Sequence, residues 1–530
     1  MQRRDLLLGA GSTLLAADRL ARPALAQAAP RTLKFIPEGN LQNPDPIWTT
    51  TTVARNFGYL VWDTLYGVDE SLTPRPQMCQ GHEVTDNGLT WRFRLRDGLT
   101  FHDGEPVRAA DCIASIARWI KRDGFGQRIE VQLNEMRATD DQTFEIRLQR
   151  PFPLMLEALA KPSANVCFVM PERVAKTDAF TQISDYTGSG PFRFLRQEWQ
   201  PGALAAFARF EAYGPRQEKP SFTAGGKQAN FDRIEWNIIP DASTAAATIQ
   251  SGEEDWWQSP TVDLLGLLRR ARGVVVEKLD VIGVIPILRF NLLHPPFDNV
   301  KLRRALLPAI NQADFLDAAM GGEKDLVRTG VGVFTPGSPL ANDAGLEVLT
   351  GPRDLQKAQR LVAESGYKGE TAVLMAPTDY PAIEALCQVT RDLMQRLGIN
   401  VEYAASDWGT VVQRRASKGP VEQGGWSTFC TTWEGLNFTS PGGHYPIFGT
   451  GERAWFGWPT SPRLEELRSA WFDAPDLEAQ KKVVREIQLT VWQEVPYIPL
   501  GQWFQPIAHR STVSDIVRSP FPLFWGARKA

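Results

Sequence analysis

Residues 371–403 constrain the fold more than any other stretch of this chain. Residues 371–375 are a short apolar run of strand character. Residues 381–397 then place apolar side chains at Ile383, Leu386, Val389, Leu393 and Leu397, close to the 3.6-residue period of a helix. Gly398 closes that helix, and Val401-Glu402-Tyr403 begins the next strand. Two strands joined through a helix run parallel, in a right-handed crossover that lays the helix on one sheet face. Helices at 299–310 and 353–364 flank the unit, the first opened by Asp298 or Asn299 and the second closed by Gly366. A lobe spanning 286–495 and built on a parallel sheet is the expectation.

The first half patterns differently. Residues 90–96 (Thr-Trp-Arg-Phe-Arg-Leu-Arg) alternate polar and apolar as a half-buried strand does, and 144–148 repeat the alternation before Pro151. A helical pattern at 109–121 lies between them, and Asp97-Gly98 and Asp103-Gly104 mark turns. These elements make an α+β unit over 69–183. Thr187-Gly188-Ser189-Gly190-Pro191 ends it, and a further strand follows at 192–194.

The N-terminus reads as an export signal, residues 1–26. Arg3-Arg4 precede an apolar stretch too short to span a bilayer, which needs about 20 residues, and Ala24-Leu25-Ala26 gives a small-x-small cleavage pattern. The arginine pair resembles a twin-arginine signal with Gln2 in place of Ser or Thr; Sec export stays open. No cysteine follows the cleavage site until Cys79, so the expected product is periplasmic, soluble and not lipid-anchored. Cys79, Cys112, Cys167, Cys387 and Cys430 are odd in number and contain no CxxC, so at least one thiol is unpaired; buried small hydrophobes are the plainer role.

With 58 Lys and Arg against 61 Asp and Glu, the chain lacks the basic excess of a nucleic-acid binder. HExxH, GxxxxGK[ST], GxSxG and GxGxxG are all missing, and the five histidines are too scattered for a local metal site. No metal or cofactor is expected. Glu253-Glu254-Asp255 offer carboxylates for acid–base chemistry, but a solvated turn is the better assignment.

Several ordered motifs resemble one family. They are the run 89–107 (Leu-Thr-Trp-Arg-Phe-Arg-Leu-Arg-Asp-Gly-Leu-Thr-Phe-His-Asp-Gly-Glu-Pro-Val), Gly188-Ser189-Gly190-Pro191-Phe192, residues 252–257, Arg289-Phe290-Asn291 through Pro295-Pro296-Phe297-Asp298-Asn299-Val300, Leu302-Arg303-Arg304-Ala305, and Val495-Pro496-Tyr497-Ile498-Pro499-Leu500. Together they span about 34–510 and resemble the extracellular solute-binding proteins of peptide/nickel-type ABC importers. The resemblance implies an α/β, two-lobed periplasmic-binding-protein fold with an extra α+β domain inserted in the first lobe. The divisions would be 27–68 and 184–285 for the first lobe, 69–183 for the extra domain, 286–495 for the second lobe, and 496–530 for the C-terminal return. It also implies a monomer that captures a small-molecule or peptide ligand between the lobes and delivers it to a permease and ATPase complex, without chemistry of its own. A secreted hydrolase using cleft carboxylates is the alternative.

Aromatic and small polar residues interleave with glycine over 424–448, as suits a pocket with a few orienting hydrogen bonds. At least one of Trp426 and Trp433 is expected to face the ligand, ordinary loop packing being the other role for such aromatics. In peptide-binding relatives a Trp here is followed three positions later by an Asp that pairs with the peptide ammonium; this chain has Phe429. Glu434 takes that role, or the alignment slips, or the ligand is not an ordinary peptide. Asn40, in Glu38-Gly39-Asn40, is a second cleft candidate or a turn residue, and Trp257 a third candidate from the first lobe.

Overall fold

A computed structural model describes residues 31–530. The export signal and its cleavage site lie outside the described residues.

Alternation sets the first sheet. Thr32–Ile36 buries Leu33, Phe35 and Ile36, and lies parallel to Arg233–Asn237 on one side and Trp256–Trp257 on the other. Seven strands run in the order Phe192–Phe194, Leu204–Arg209, Arg233–Asn237, Thr32–Ile36, Trp256–Trp257, Ile507–Arg510, Val274–Glu277. Helices Ala242–Ser251 and Val262–Arg270 cover one face around Ala245, Ile249 and Leu268.

The second sheet is mixed, which corrects the expectation of a parallel one. Ala372–Pro377 is parallel to Val401–Ser406 and to Thr428–Glu434, with helix Pro381–Arg396 between the first two, as the sequence period requires. Val284–Phe290, however, pairs antiparallel with Thr428–Glu434, Tyr497–Pro499 and Gln502–Trp503. The C-terminal return therefore comes later than 496. Tyr497–Pro499 and Gln502–Trp503 still belong to the second sheet, and the chain re-enters the first at Ile507–Arg510.

Between the first two parts of the first lobe lies an antiparallel four-stranded sheet, ordered Cys79–Thr85, Thr90–Leu95, Thr143–Leu148, Leu133–Ala138, with helix Ala109–Trp119. Trp91, Phe93 and Leu95 point inward while Arg92 and Arg94 are exposed. His102 ties this unit to the Gly-rich crossing. Its Nδ1 accepts the Gly188 N–H at 3.1 Å, and its Nε2–H donates to the Gly190 carbonyl at 3.0 Å. A Cβ on Gly188 would stand 1.8 Å from the Val61 carbonyl oxygen, so only glycine lets the chain pass.

All five cysteines are free and buried. Glu254 and Asp255 are buried too, which corrects the solvated turn. Asp255 accepts from the Lys34 N–H and from the Lys529 ammonium, and Glu254 from the Asn237 amide.

Two segments connect the sheets, Lys278 to Gly283 going out and Phe504 to Pro506 coming back, and they lie side by side. The Gln502 amide donates to the Ile282 carbonyl at 2.6 Å, and a Cβ on Gly283 would meet the Trp503 carbonyl at 2.7 Å. The Gly435 N–H donates to the Gly283 carbonyl at 2.7 Å, fixing the end of the strand Thr428–Glu434 against the crossover.

Candidate functional site

Where the two sheets face one another, a cavity of about 1400 Å³ opens beside these crossovers, with walls from both lobes. It exceeds the roughly 300–1,000 Å³ usual for small-ligand pockets. Its lining is aromatic and acidic: Trp256, Phe521 and Glu38 from the first lobe, Tyr380, Trp433 and Glu434 from the second, and Asp280 from the crossover.

The helix Thr52–Val61 buries every residue from Val53 onward, Arg55 included. A buried guanidinium needs charge and hydrogen-bond partners. Arg55 finds its charge partner across the cleft, where Nη1 and Nη2 donate to the two Glu434 oxygens at 2.5 and 3.0 Å. Its Nε and Nη2 also donate to Asn56 Oδ1 at 3.3 and 3.0 Å, and its plane lies 3.9 Å from the Phe521 ring centroid. This fork joins a first-lobe helix to a second-lobe strand.

Two other carboxylates have no such partner. Glu38 follows the first strand; its N–H donates to Gln258 Oε1 at 3.0 Å and its carboxylate accepts the Thr52 hydroxyl. The side chain is wetted by the cavity yet ringed by protein. That enclosure raises its pKa, with the Glu434 charge adding to the rise, against the lowering by Thr52, Arg55 and Gln258. Asp280 shapes the crossover, its Oδ1 accepting the N–H groups of Ile282 at 2.7 Å and Gly283 at 2.8 Å. Burial, with the Glu434 charge behind it, pushes its carboxyl up to about 6 against the lowering by those two hydrogen bonds and Lys278. Tyr380, on the opposite wall, is 45% exposed to the cavity, and the protein around its hydroxyl and then the Glu38 charge hold its pKa above the usual range.

The six residues singled out from sequence separate cleanly. Trp433 and Glu434 line the cavity; Trp433 stacks on Tyr445 at 5.9 Å and meets Trp455 edge-on at 5.2 Å. Trp426 and Phe429 do not reach it. They are sealed in a cluster with Met375, Val411 and Trp458, Trp426 giving its indole N–H to the Arg415 carbonyl and Phe429 lying behind Trp455. Trp257 also turns away, because successive strand residues face opposite sides; Trp256 lines the cavity and Trp257 packs with Ile36, Ile249 and Leu268. Asn40 is a brace, its Oδ1 accepting the Gly202 N–H at 2.8 Å.

Sequence reasoning missed Arg55, Asp280 and Tyr380, and took Glu38 only as a neighbour of Asn40. Arg55 and Asp280 carried a signal, being lone charges inside apolar runs (Thr52–Val61 and 279–287).

The model of the bacterial extracellular solute-binding proteins, family 5, matches residues 73–454. A Sinorhizobium fredii protein named "Probable peptide ABC transporter periplasmic-binding protein y4tO" is 36% identical over 535 residues, covering the whole of both chains. The glutathione-binding protein GsiB of Pectobacterium atrosepticum is 26% identical over 470 residues, 85% of this chain and 84% of its own. Among solved structures, a dipeptide-binding protein of Pseudoalteromonas sp. SM9913 in complex with Met-Leu superposes with a TM-score of 0.77 at 19% identity, covering 94% of this chain and all of its own. The oligopeptide-binding protein AppA of Bacillus subtilis, in complex with a nonapeptide, gives 0.77 at 16% identity over 95% of this chain and all of its own. The two-lobed architecture is thus shared with periplasmic binding proteins, and the chain belongs to the family 5 bacterial extracellular solute-binding proteins.

Proposed function

We propose that this protein is the periplasmic component of an ABC importer that captures a peptide or peptide-like small solute between its lobes and hands it to a membrane permease with its ATPase. The observation that carries the reading is the cavity of about 1400 Å³ walled by both sheets and joined across by the Arg55–Glu434 fork. A site divided between two bodies binds differently in open and closed states, and that difference lets a solute drive closure and a permease read it. The family resemblance and the peptide-bound relatives support the solute class. Export by the N-terminal signal, absence of a lipid anchor, a monomeric state and binding without turnover belong to the same reading. No helix among the described residues is long and apolar enough to cross a membrane.

The test is a thermal-shift screen on protein unfolded and refolded to strip co-purified ligand. The panel holds free and N-acetylated peptides, amino-acid derivatives, oligosaccharides and metal chelates. A ligand at 100 times its Kd stabilises the folded state by about 2.7 kcal/mol. A stoichiometric shift with one class, and unchanged ligand by mass spectrometry, is the expected result. No shift from any class, or conversion of the ligand, contradicts the reading.

A further inference from the structure

The charges around the crossover do not balance. Arg55 is committed to Glu434, Asn56 and the Phe521 face. The other cations nearby are engaged as well. The Lys278 ammonium donates to the Asp325 carbonyl at 3.1 Å and lies 4.6 Å from the Phe504 ring centroid; Lys121 pairs with Glu130, and Arg122 donates to the Trp48 carbonyl at 2.7 Å. Asp280 is left half-satisfied. It is only 6% exposed and lines the cavity, and while Oδ1 holds two backbone N–H groups, Oδ2 has no hydrogen bond among the described residues. Glu38 lines the same cavity from the first lobe, its exposed carboxylate open to the cavity and accepting the Thr52 hydroxyl. For buried Asp280, whose nearest cationic influence is the more distant Lys278, a carboxylate without a direct cation partner is costly, and a bound cation reduces the cost.

Resting on the solute-binding reading above, we infer that the crossover end of the cavity is a cation subsite, where Asp280 Oδ2 and Glu38 receive an organic ammonium group of the solute. The chemistry favours an organic cation over a metal ion. The surrounding wall is aromatic, with Tyr380 and Trp433, and aromatic faces attract ammonium groups. The space is also far larger than a coordinated ion fills. Glu434 is not the receiving group, because its two oxygens already hold Arg55.

The experiment measures Kd by calorimetry on ligand-stripped, full-length protein. The probes are di- and tripeptides with free amino ends, the same peptides N-acetylated, an aliphatic diamine, and calcium chloride alone. Two conservative variants accompany them. Asp280→Asn keeps an Oδ1 acceptor for the Ile282 and Gly283 N–H groups, and Glu38→Gln keeps one for Thr52.

Free-amine probes should bind at least about 30-fold more tightly than their acetylated counterparts, and Asp280→Asn should erase that difference. Should Asp280→Asn fail to fold, the same erasure or its absence in Glu38→Gln decides. Equal binding of free and acetylated probes, or a preference that survives both substitutions, overturns the subsite. So does binding of calcium alone. If neutral or anionic solutes bind and no amine does, the cation subsite falls while solute capture stands; if nothing binds, both fall.

Discussion

The two ends of the strand Thr428–Glu434 do different work. At its start, Thr428 and Phe429 have hydrogen-bonded neighbours on both sides, Leu374 and Met375 on one and Phe290 and Arg289 on the other. Phe429, with Trp426 just before it, is fully covered there. From Cys430 onward the parallel neighbour is gone, and the last residues are paired only to Val284–Phe290. The strand emerges half-buried at the cavity, with Trp433 and Glu434 at its tip. The lesson is that a single aromatic-rich segment can supply core at one end and recognition surface at the other; what decides is which side chains pack over each end.

The largest effect that would sharpen this contrast is on stability. Trp426→Ala or Phe429→Ala should cost about 3–5 kcal/mol, read from urea unfolding, while solute affinity of the folded fraction stays unchanged. A large loss of affinity without loss of stability would break the division. Glu434→Gln should act next most strongly, removing about 2–3 kcal/mol of interlobe attraction by leaving buried Arg55 without its charge partner. Because the lobes can part and rehydrate Arg55, this loss should be visible as a larger radius of gyration by X-ray scattering, more than as unfolding. An unchanged radius would mean that the fork does not hold the lobes together.

Trp433→Ala should then weaken solute binding by about 2 kcal/mol in calorimetry, with a smaller effect on the urea midpoint. A pH series probes the same end of the strand. Asp280, held at about 6 by burial and by Glu434 against its two hydrogen bonds and Lys278, is charged above that value and neutral below it. A cation that it receives should therefore bind with constant affinity above about pH 7 and lose up to about tenfold per unit below pH 6. The smallest effect is expected at Asn40, where Asn40→Ala should cost about 1 kcal/mol through Gly202 and leave affinity untouched.

Local regularity made much of the fold legible. The helical period gives Pro381–Arg396, the alternation gives Thr90–Leu95, and ordered motifs over most of the chain point to the family. The mixed second sheet was not legible, because Val284–Phe290 pairs with strands about 140–150 residues ahead and about 210 ahead, and no local pattern carries that pairing. The site suffers from the same distance. Arg55 and Glu434 are separated by 379 positions, and Glu38, Asp280 and Tyr380 come from three further segments. Trp426 and Trp433 could not be told apart for a physical reason: aromatic residues among glycines suit a pocket wall and a packed core equally well, and only the tertiary cover of Met375, Val411 and Trp458 over Trp426 distinguishes them.

The most direct measurement is side-by-side calorimetry of Trp426→Phe and Trp433→Ala with the solute found in the screen. Trp426→Phe should keep wild-type affinity, and Trp433→Ala should lose about tenfold or more. Loss in the first with none in the second would move the solute away from the cavity beside the crossovers.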